Sequence, residues 1–210
     1  MLQLKTIDTN TFSLLKDLSA AKYLSDFALA GGTSLALQLG HRISVDLDFF
    51  TLKEFSAEML VNQIKQVYKV FDVSINKNAL TLNVEYNRNI IKIDCIRHNY
   101  NLIEDIKTID KIRVFSVSDI AAMKLNAIIN RGAKKDFYDI FELLQHYSLK
   151  ALINFFTIKY PEVNIVTLIK SLEYFEDAEL DPSPISLKNI SWEEIKRNIL
   201  IQVKKFVLSE

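Results

Sequence analysis

The sequence predicts an α+β protein, with a mixed α/β sheet core over residues 1–115 and a helical region packed on it over residues 116–210. Three observations carry this reading. Phe27 to Phe50 (FALAGGTSLALQLGHRISVDLDFF) reads as a short strand, a Gly31-Gly32 turn, a helix and a second strand. Three strand-like runs follow, at 70–76, 79–86 and 90–97, separated by Asn-Lys-Asn and Asn-Arg-Asn turns of hairpin composition. From Ser118 onward the apolar spacing is helical.

Taken in order, residues 8–24 form an amphipathic pattern opened by Asp, Thr or Asn as cap. Phe27 to Ala30 is the first strand, and SLALQLGHR the helix that Gly40 ends. In the strand VDLDFF, side chains two apart share a face, so Asp46 and Asp48 project together while Val45, Leu47 and Phe49 point the other way. Leu60, Ile64, Val67 and Tyr68 mark a helix over 58–70. A linker rich in Ile and Asp precedes a helix capped by Ser118 or Asp119, with apolar positions Ile120, Met123, Ala127 and Ile128. Arg131-Gly132 breaks it. Lys134-Lys135-Asp136 opens the next, with Phe137, Ile140, Phe141 and Leu144 on its core side. Three helical stretches complete the chain, the last two separated by DPSPIS; Ser191 with Glu193-Glu194 marks a helix start.

Composition narrows the function. Hydrophobic residues make up 49% and charged residues 25%, and Lys+Arg and Asp+Glu both count 26, so bulk electrostatic capture of nucleic acid is excluded. A nucleic-acid contact needs a local patch, for which Lys134-Lys135 and the stretch Lys196 to Lys205 are the candidates. The single Cys95 excludes an internal disulfide, no apolar run is long enough to span a membrane, and MLQLKTIDTN lacks a signal-peptide pattern. A cytoplasmic protein with no membrane partner is expected.

The chemistry concentrates in a few residues. Two carboxylates side by side repel unless a cation lies between them, so Asp46 and Asp48 point to a divalent metal. Asp94, the one carboxylate in IIKIDCI, is a third ligand, a general base, or a polar strand-end position. Gly31 and Gly32 let the backbone approach a ligand, and Thr33 and Ser34 begin a helix with hydroxyls and N–H groups exposed, where a phosphate could rest. A simple capped helix would look the same. Arg42 contacts phosphate or pairs with the acids; His41 reads as a hydrogen-bonding scaffold residue. Lys124 reaches inward to a triphosphate or snorkels, and Asp136, with Asp139 one turn on, pairs with Lys124 or Arg131 or merely favours a helix start.

The order GGTSLALQLGHRISVDLDFF, IKID, MKLNAIINRGAKKDFYDI resembles the AbiEii/AbiGii toxin family of nucleotidyltransferase-like proteins over residues 25–145. The resemblance implies a nucleotidyltransferase-like core of the DNA polymerase β type, a toxin role beside an antitoxin, and nucleotide transfer to an acceptor that in some relatives is tRNA. It matches Asp46 and Asp48 to the metal-binding acids, Asp94 to the third acid of the wider superfamily, and Gly31, Gly32, Thr33 and Lys124 to the triphosphate site, so two Mg²⁺ ions are expected there, with Ser34 and Arg42 as further candidates for phosphate contact. Asp136 would stand beside Lys124. The turn is Gly-Gly-Thr where the wider superfamily often has Gly-Ser. The competing readings are a non-catalytic nucleotide- or partner-binding module of the same fold, and a small-molecule nucleotidyltransferase of the antibiotic-modifying kind.

Overall fold

Seven strands form one mixed sheet in the order β3-β4-β5-β2-β1-β7-β6 in the computed structural model, which describes residues 1–209. They are β1 (Ala28–Leu29), β2 (Leu47–Thr51), β3 (Lys69–Asn76), β4 (Ala79–Tyr86), β5 (Asn89–Arg97), β6 (Lys107–Ile109) and β7 (Ile112–Val114). With α1 (Thr9–Ala20), α2 (Gly31–Leu39) and α3 (Ala57–Lys65) they make one unit, residues 1–101 and 105–115. Strand β2 runs antiparallel to β1 and parallel to β5, while β3, β4 and β5 form an antiparallel meander.

Alternation along the strands sorts the residues. Leu47, Phe49, Leu80, Leu82, Val84, Ile91, Ile93 and Cys95 enter one core with Leu14, Leu15 and Leu18 of α1 and Leu60 and Ile64 of α3. Each such aliphatic side chain contributes roughly 1.5–3 kcal/mol through burial. The intervening positions, Asp48, Thr81, Asn83, Lys92 and Asp94, are left for the opposite face.

Several local expectations are corrected. The helix expected over 8–24 ends at Ala20, because Ala21 is extended and Lys22–Leu24 form a 3₁₀ turn. Val45 is 54% exposed rather than sharing a face with Leu47, since pairing to β5 begins only at Leu47. The supposed linker holds the β6–β7 hairpin. Its turn residues Asp110 and Lys111 both have positive φ, as a type I′ turn requires, without the glycine that usually announces one.

Residues 102–104 and 116–210 form a second, helical unit. It contains α4 (Val117–Asn130), α5 (Lys134–Leu143), α6 (Leu149–Lys159), α7 (Ile165–Glu173), α8 (Glu176–Glu179) and α9 (Trp192–Val207). The α4 cap is Ser116, not Ser118 or Asp119; its hydroxyl accepts from Asp119 N at 3.0 Å. The core side of α5 is Phe137, Ile140 and Leu143, with Leu144 and Phe141 only half-buried. Phe137 meets Phe175 at 5.0 Å between ring centroids, and Trp192 stacks on Tyr138. A capping box at Ser191 and Glu194 starts α9. Among the described residues, no helix is long and apolar enough to cross a membrane.

Candidate active site

The site is built where β1 turns into α2. Gly31 has φ +63°, and a Cβ there would fall 2.1 Å from Asp48 Oδ2; a Cβ on Gly32 would fall 2.3 Å from an Arg42 terminal nitrogen. A side chain at Gly31 or Gly32 would have to displace the Asp48 carboxylate or the Arg42 guanidinium. The turn brings the main chain directly against a carboxylate and a guanidinium. Ala30, the residue before α2, offers no side-chain cap, so the positive end of the helix faces the Asp48 carboxylate.

Thr33 and Ser34 are expected to be exposed but are buried. The Thr33 hydroxyl donates to the backbone carbonyl of Asp46 and lies 2.8 Å from Ser44 Oγ, while Ser34 Oγ accepts from Gln38 Nε2 at 3.2 Å. The Thr33 hydroxyl thus holds the chain entering β2, while that of Ser34 is bonded within α2. Arg42 is buried, and its guanidinium donates to the Ile43 carbonyl at 3.0 Å. His41 is buried as well.

Register brings the acids together. Asp48 of β2 lies directly beside Asp94 of β5, which lies beside Thr81 of β4. Asp46 immediately precedes β2. Asp94 accepts from Thr81 Oγ1 at 2.5 Å and from Lys92 Nζ at 2.6 Å. Burial disfavours the Lys92 ammonium, yet its bond to Asp94 and the charges of Asp94, Asp46 and Asp48 hold its pKa above the ordinary lysine value. All three carboxylates thus act on one cation. Behind them, burial pushes the Cys95 thiol well above its usual range, with the negative charges of Asp94 and Asp48 adding to the effect. Lys92, Thr81 and Asn83 were not singled out as site residues. The signal that would have found Thr81 and Asn83 is the polar alternation of β4 (Thr81, Asn83, Glu85) against its apolar positions.

The remaining predicted residues lie in the helical unit. Lys124 Nζ is 2.8 Å from Asp136 Oδ1 and 2.6 Å from Asp139 Oδ2. Arg131 donates from Nε and Nη2 to Asp136, at 2.8 and 2.9 Å. Asp136 therefore pairs with both cations that the sequence offered it. Burial alone would raise its pKa, but Lys124 and Arg131 hold the carboxyl below its ordinary value. A second buried pair, Asp119 with Lys159 at 2.7 Å, escaped notice in the sequence; Asp119 also accepts from Ile103 N and Glu104 N, tying residues 102–104 to this unit. The expected basic patches are partly spent. Lys134 is buried and donates to the Asp181 carbonyl, and Lys196 pairs with Glu179 and Glu193.

Among the described residues, no three His, Cys, Asp or Glu side chains are gathered as a ready metal cage. The donor set nevertheless fits a hard divalent cation. Mg²⁺ is usually held by one or two carboxylates together with substrate phosphates and water, not by a closed protein cage. Asp48, with the Gly31 main chain against its carboxylate, and Asp46 just ahead of β2 offer carboxylate oxygens of the type such a site uses.

Comparison with known proteins agrees with this fold. The chain is 33% identical over 195 residues to the uncharacterized protein aq_aa25 of Aquifex aeolicus, covering 87% of this chain and 89% of that protein. Its fold is similar to the crystal structure of JHP933 from Helicobacter pylori, with a TM-score of 0.60 at 18% identity over 95% of this chain and 92% of that one. It is also similar to MenT4, the nucleotidyltransferase toxin Rv2826c of Mycobacterium tuberculosis H37Rv, with a TM-score of 0.59 at 15% identity over 92% and 84% of the two chains. The family described as nucleotidyl transferase AbiEii toxin, type IV TA system, matches residues 13–206, across both units. The chain belongs to that family and is a nucleotidyltransferase.

Proposed function

We propose that this protein transfers a nucleoside monophosphate from a nucleoside triphosphate to an acceptor hydroxyl at the Asp46/Asp48 site, in a Mg²⁺-dependent reaction. The observation that carries the proposal is the close approach of Gly31 and Gly32 to Asp48 and Arg42, beside the Asp48–Asp94 register. Asp46 and Asp48, with Asp94 as third candidate, would hold two Mg²⁺ ions. When bound, these would neutralise the triphosphate and acidify the acceptor hydroxyl.

The chain's own residues do the rest. The Gly31-Gly32 turn and the uncapped start of α2 present backbone N–H groups to phosphate oxygens. Arg42 adds a fixed positive charge at Gly32. Thr33 acts as a positioning residue that sets the entry to β2, and Ser34 is tied to Gln38 within α2. In the reaction the acceptor oxygen forms a bond to the α-phosphorus, the bond from that phosphorus to pyrophosphate breaks, and an aspartate of the site takes the hydroxyl proton. Thr81 and Lys92 keep Asp94 oriented. Within the helical unit, Lys124 with Asp136 is a separate candidate for nucleotide contact, its ammonium shared between Asp136 and Asp139. An RNA acceptor such as tRNA, a cognate antitoxin and a cytoplasmic setting belong to the same reading, supported by family membership.

The test is a transfer assay. Protein, Mg²⁺ and total tRNA are incubated with each α-labelled nucleoside triphosphate in turn, alongside an Asp46→Asn/Asp48→Asn control. Label entering RNA from one triphosphate and disappearing in the control is the expected result. Mg²⁺-dependent nucleotide binding without transfer to RNA or to small hydroxyl acceptors would replace the enzyme with a binding module.

A further inference from the structure

Helix α9 is packed on one side only. Ile195, Ile199 and Val203, each one turn from the next, are buried in the helical unit. Offset from them runs a second row, Glu193, Arg197, Leu200, Ile201 and Lys204, whose spacings of three and four residues put these side chains on one outward face. Leu200 and Ile201 stand at the middle of that face, 41% and 45% exposed. Together with Lys196 and Phe175 the row lines a groove of about 640 Å³. Adjacent apolar side chains kept at a surface between charged ends have the pattern of a contact.

The charges along this face are ordered. Its N-terminal end carries Glu193 and Glu194, and Lys196 ties in Glu179, lying 2.6 Å from Glu179 and 2.8 Å from Glu193. Lys196 and Arg197 answer these three carboxylates with two positive charges, so this end is net acidic. The C-terminal end carries Lys204 and Lys205, both exposed. The helix dipole favours the same order, but it asks nothing of Leu200 and Ile201. An apolar middle between an acidic and a basic end is complementary to its own reversed copy. A parallel copy would set acid against acid and lysine against lysine.

We propose that this face binds a second copy of the same chain, the two α9 helices running antiparallel about a two-fold axis between Arg197 and Leu200. In that register Glu193 of each copy stands against Lys204 of the other, and the same patch serves both sides, as a two-fold contact requires. At a rise of 1.5 Å per residue each Leu200 lies only roughly 2 Å along the helix from the axis, so the two leucines meet across it. Ile201 packs against the aliphatic stems of Lys196 and Arg197 of the other copy. Arg197, close to the axis, already lies in the field of Glu194 on its own helix, which tempers its repulsion from its counterpart. One helix pair buries less than the roughly 1,200–2,000 Å² of a standard interface, so the association is a concentration-dependent equilibrium and not an obligate dimer.

Sedimentation velocity of the whole chain, from about 1 to about 200 µM, tests it by mass action and without turnover. The weight-average sedimentation coefficient is expected to climb with concentration from the monomer value towards that of a dimer. Leu200→Glu should raise the dissociation constant at least about tenfold while circular dichroism stays unchanged, the residue being exposed in the monomer. Glu193→Lys and Lys204→Glu should each weaken self-association. A one-to-one mixture of those two variants should associate more tightly than either alone, because every reversed charge then meets an opposite one. Only an antiparallel pair predicts that rescue. A chain that stays monomeric to about 200 µM, a folded Leu200→Glu variant that associates as well as wild type, or a mixture no tighter than its components overturns the proposal. A monomer that instead binds RNA or an acidic peptide, and loses that binding in Leu200→Glu, overturns it too and assigns the face to that ligand.

Discussion

The two units treat their acids in opposite ways. In the helical unit Asp119, Asp136 and Asp139 are fully buried, and each is matched to a lysine or arginine at 2.6–2.8 Å. In the sheet unit Asp46, Asp48 and Asp94 are half-buried on neighbouring backbone positions, with the exposed Lys92 in the field of all three. The helical acids are matched by cations inside their unit, while the sheet acids gather around one exposed lysine on a half-buried surface. A buried charge requires a built-in partner, whereas a half-buried cluster can take its counter-charge from solution. The helical cluster therefore speaks for stability and the sheet cluster for a cation and its phosphates.

This contrast is open to direct attack, and the largest effects should fall on stability in the helical unit. Asp119→Ala or Asp136→Ala strands buried cations and should cost about 3–5 kcal/mol in urea unfolding. Both carboxyls are held below their ordinary value by lysine, arginine and hydrogen bonds that outweigh burial. Their contribution is complete above the unfolded carboxylate value of about 4 and fades as pH falls through the lower folded value. The gap in stability between wild type and Asp136→Asn should accordingly be level near neutrality and close only under acid. A gap that instead widens under acid would reverse the assignment.

Asp48→Asn should behave in the opposite manner, losing about 10²–10³-fold or more in transfer. Its unfolding free energy should stay within about 1 kcal/mol of wild type, since Asp48 is half-buried and Asn keeps its shape and one acceptor oxygen. Strong destabilisation would place Asp48 with the structural acids.

Gly31→Ala probes the join between the two roles. The left-handed backbone costs a side chain about 1–2 kcal/mol, and the new Cβ must displace the Asp48 carboxylate, so stability and transfer should fall together. Gly132→Ala is the control: its φ is also positive, but a Cβ there meets only the Ile128 carbonyl at 3.6 Å. It should cost stability and spare transfer. The smallest effect belongs to Thr81→Val, which removes one hydrogen bond from Asp94 and should cost about 0.5–1.5 kcal/mol.

Much of this was legible in the chain. The 79–86 and 90–97 strands depend on local spacing and appear in the structure, while α2 already begins at Gly31 and the strand after it begins at Leu47, with Asp46 just ahead of it. The misses follow a physical pattern. The β6–β7 hairpin is three residues per strand around an Asp-Lys turn, too short and too glycine-poor to signal itself. The Ser116 cap lies ahead of two other good cap residues, and only the hydrogen bond decides among them.

By itself the sequence determined that two acids stand two residues apart at the entry to a strand, where glycine frees the backbone, and where helical spacing takes over. These follow from alternation, φ > 0 and periodicity, all properties of neighbouring residues. Tertiary structure alone decided that Asp94 stands beside Asp48, that Thr33 and Ser34 face inward, and that Asp119 meets Lys159 across 40 positions. Strand register and helix packing join residues far apart in the chain, and burial then decides which charges must find partners. Local pattern carries no record of either.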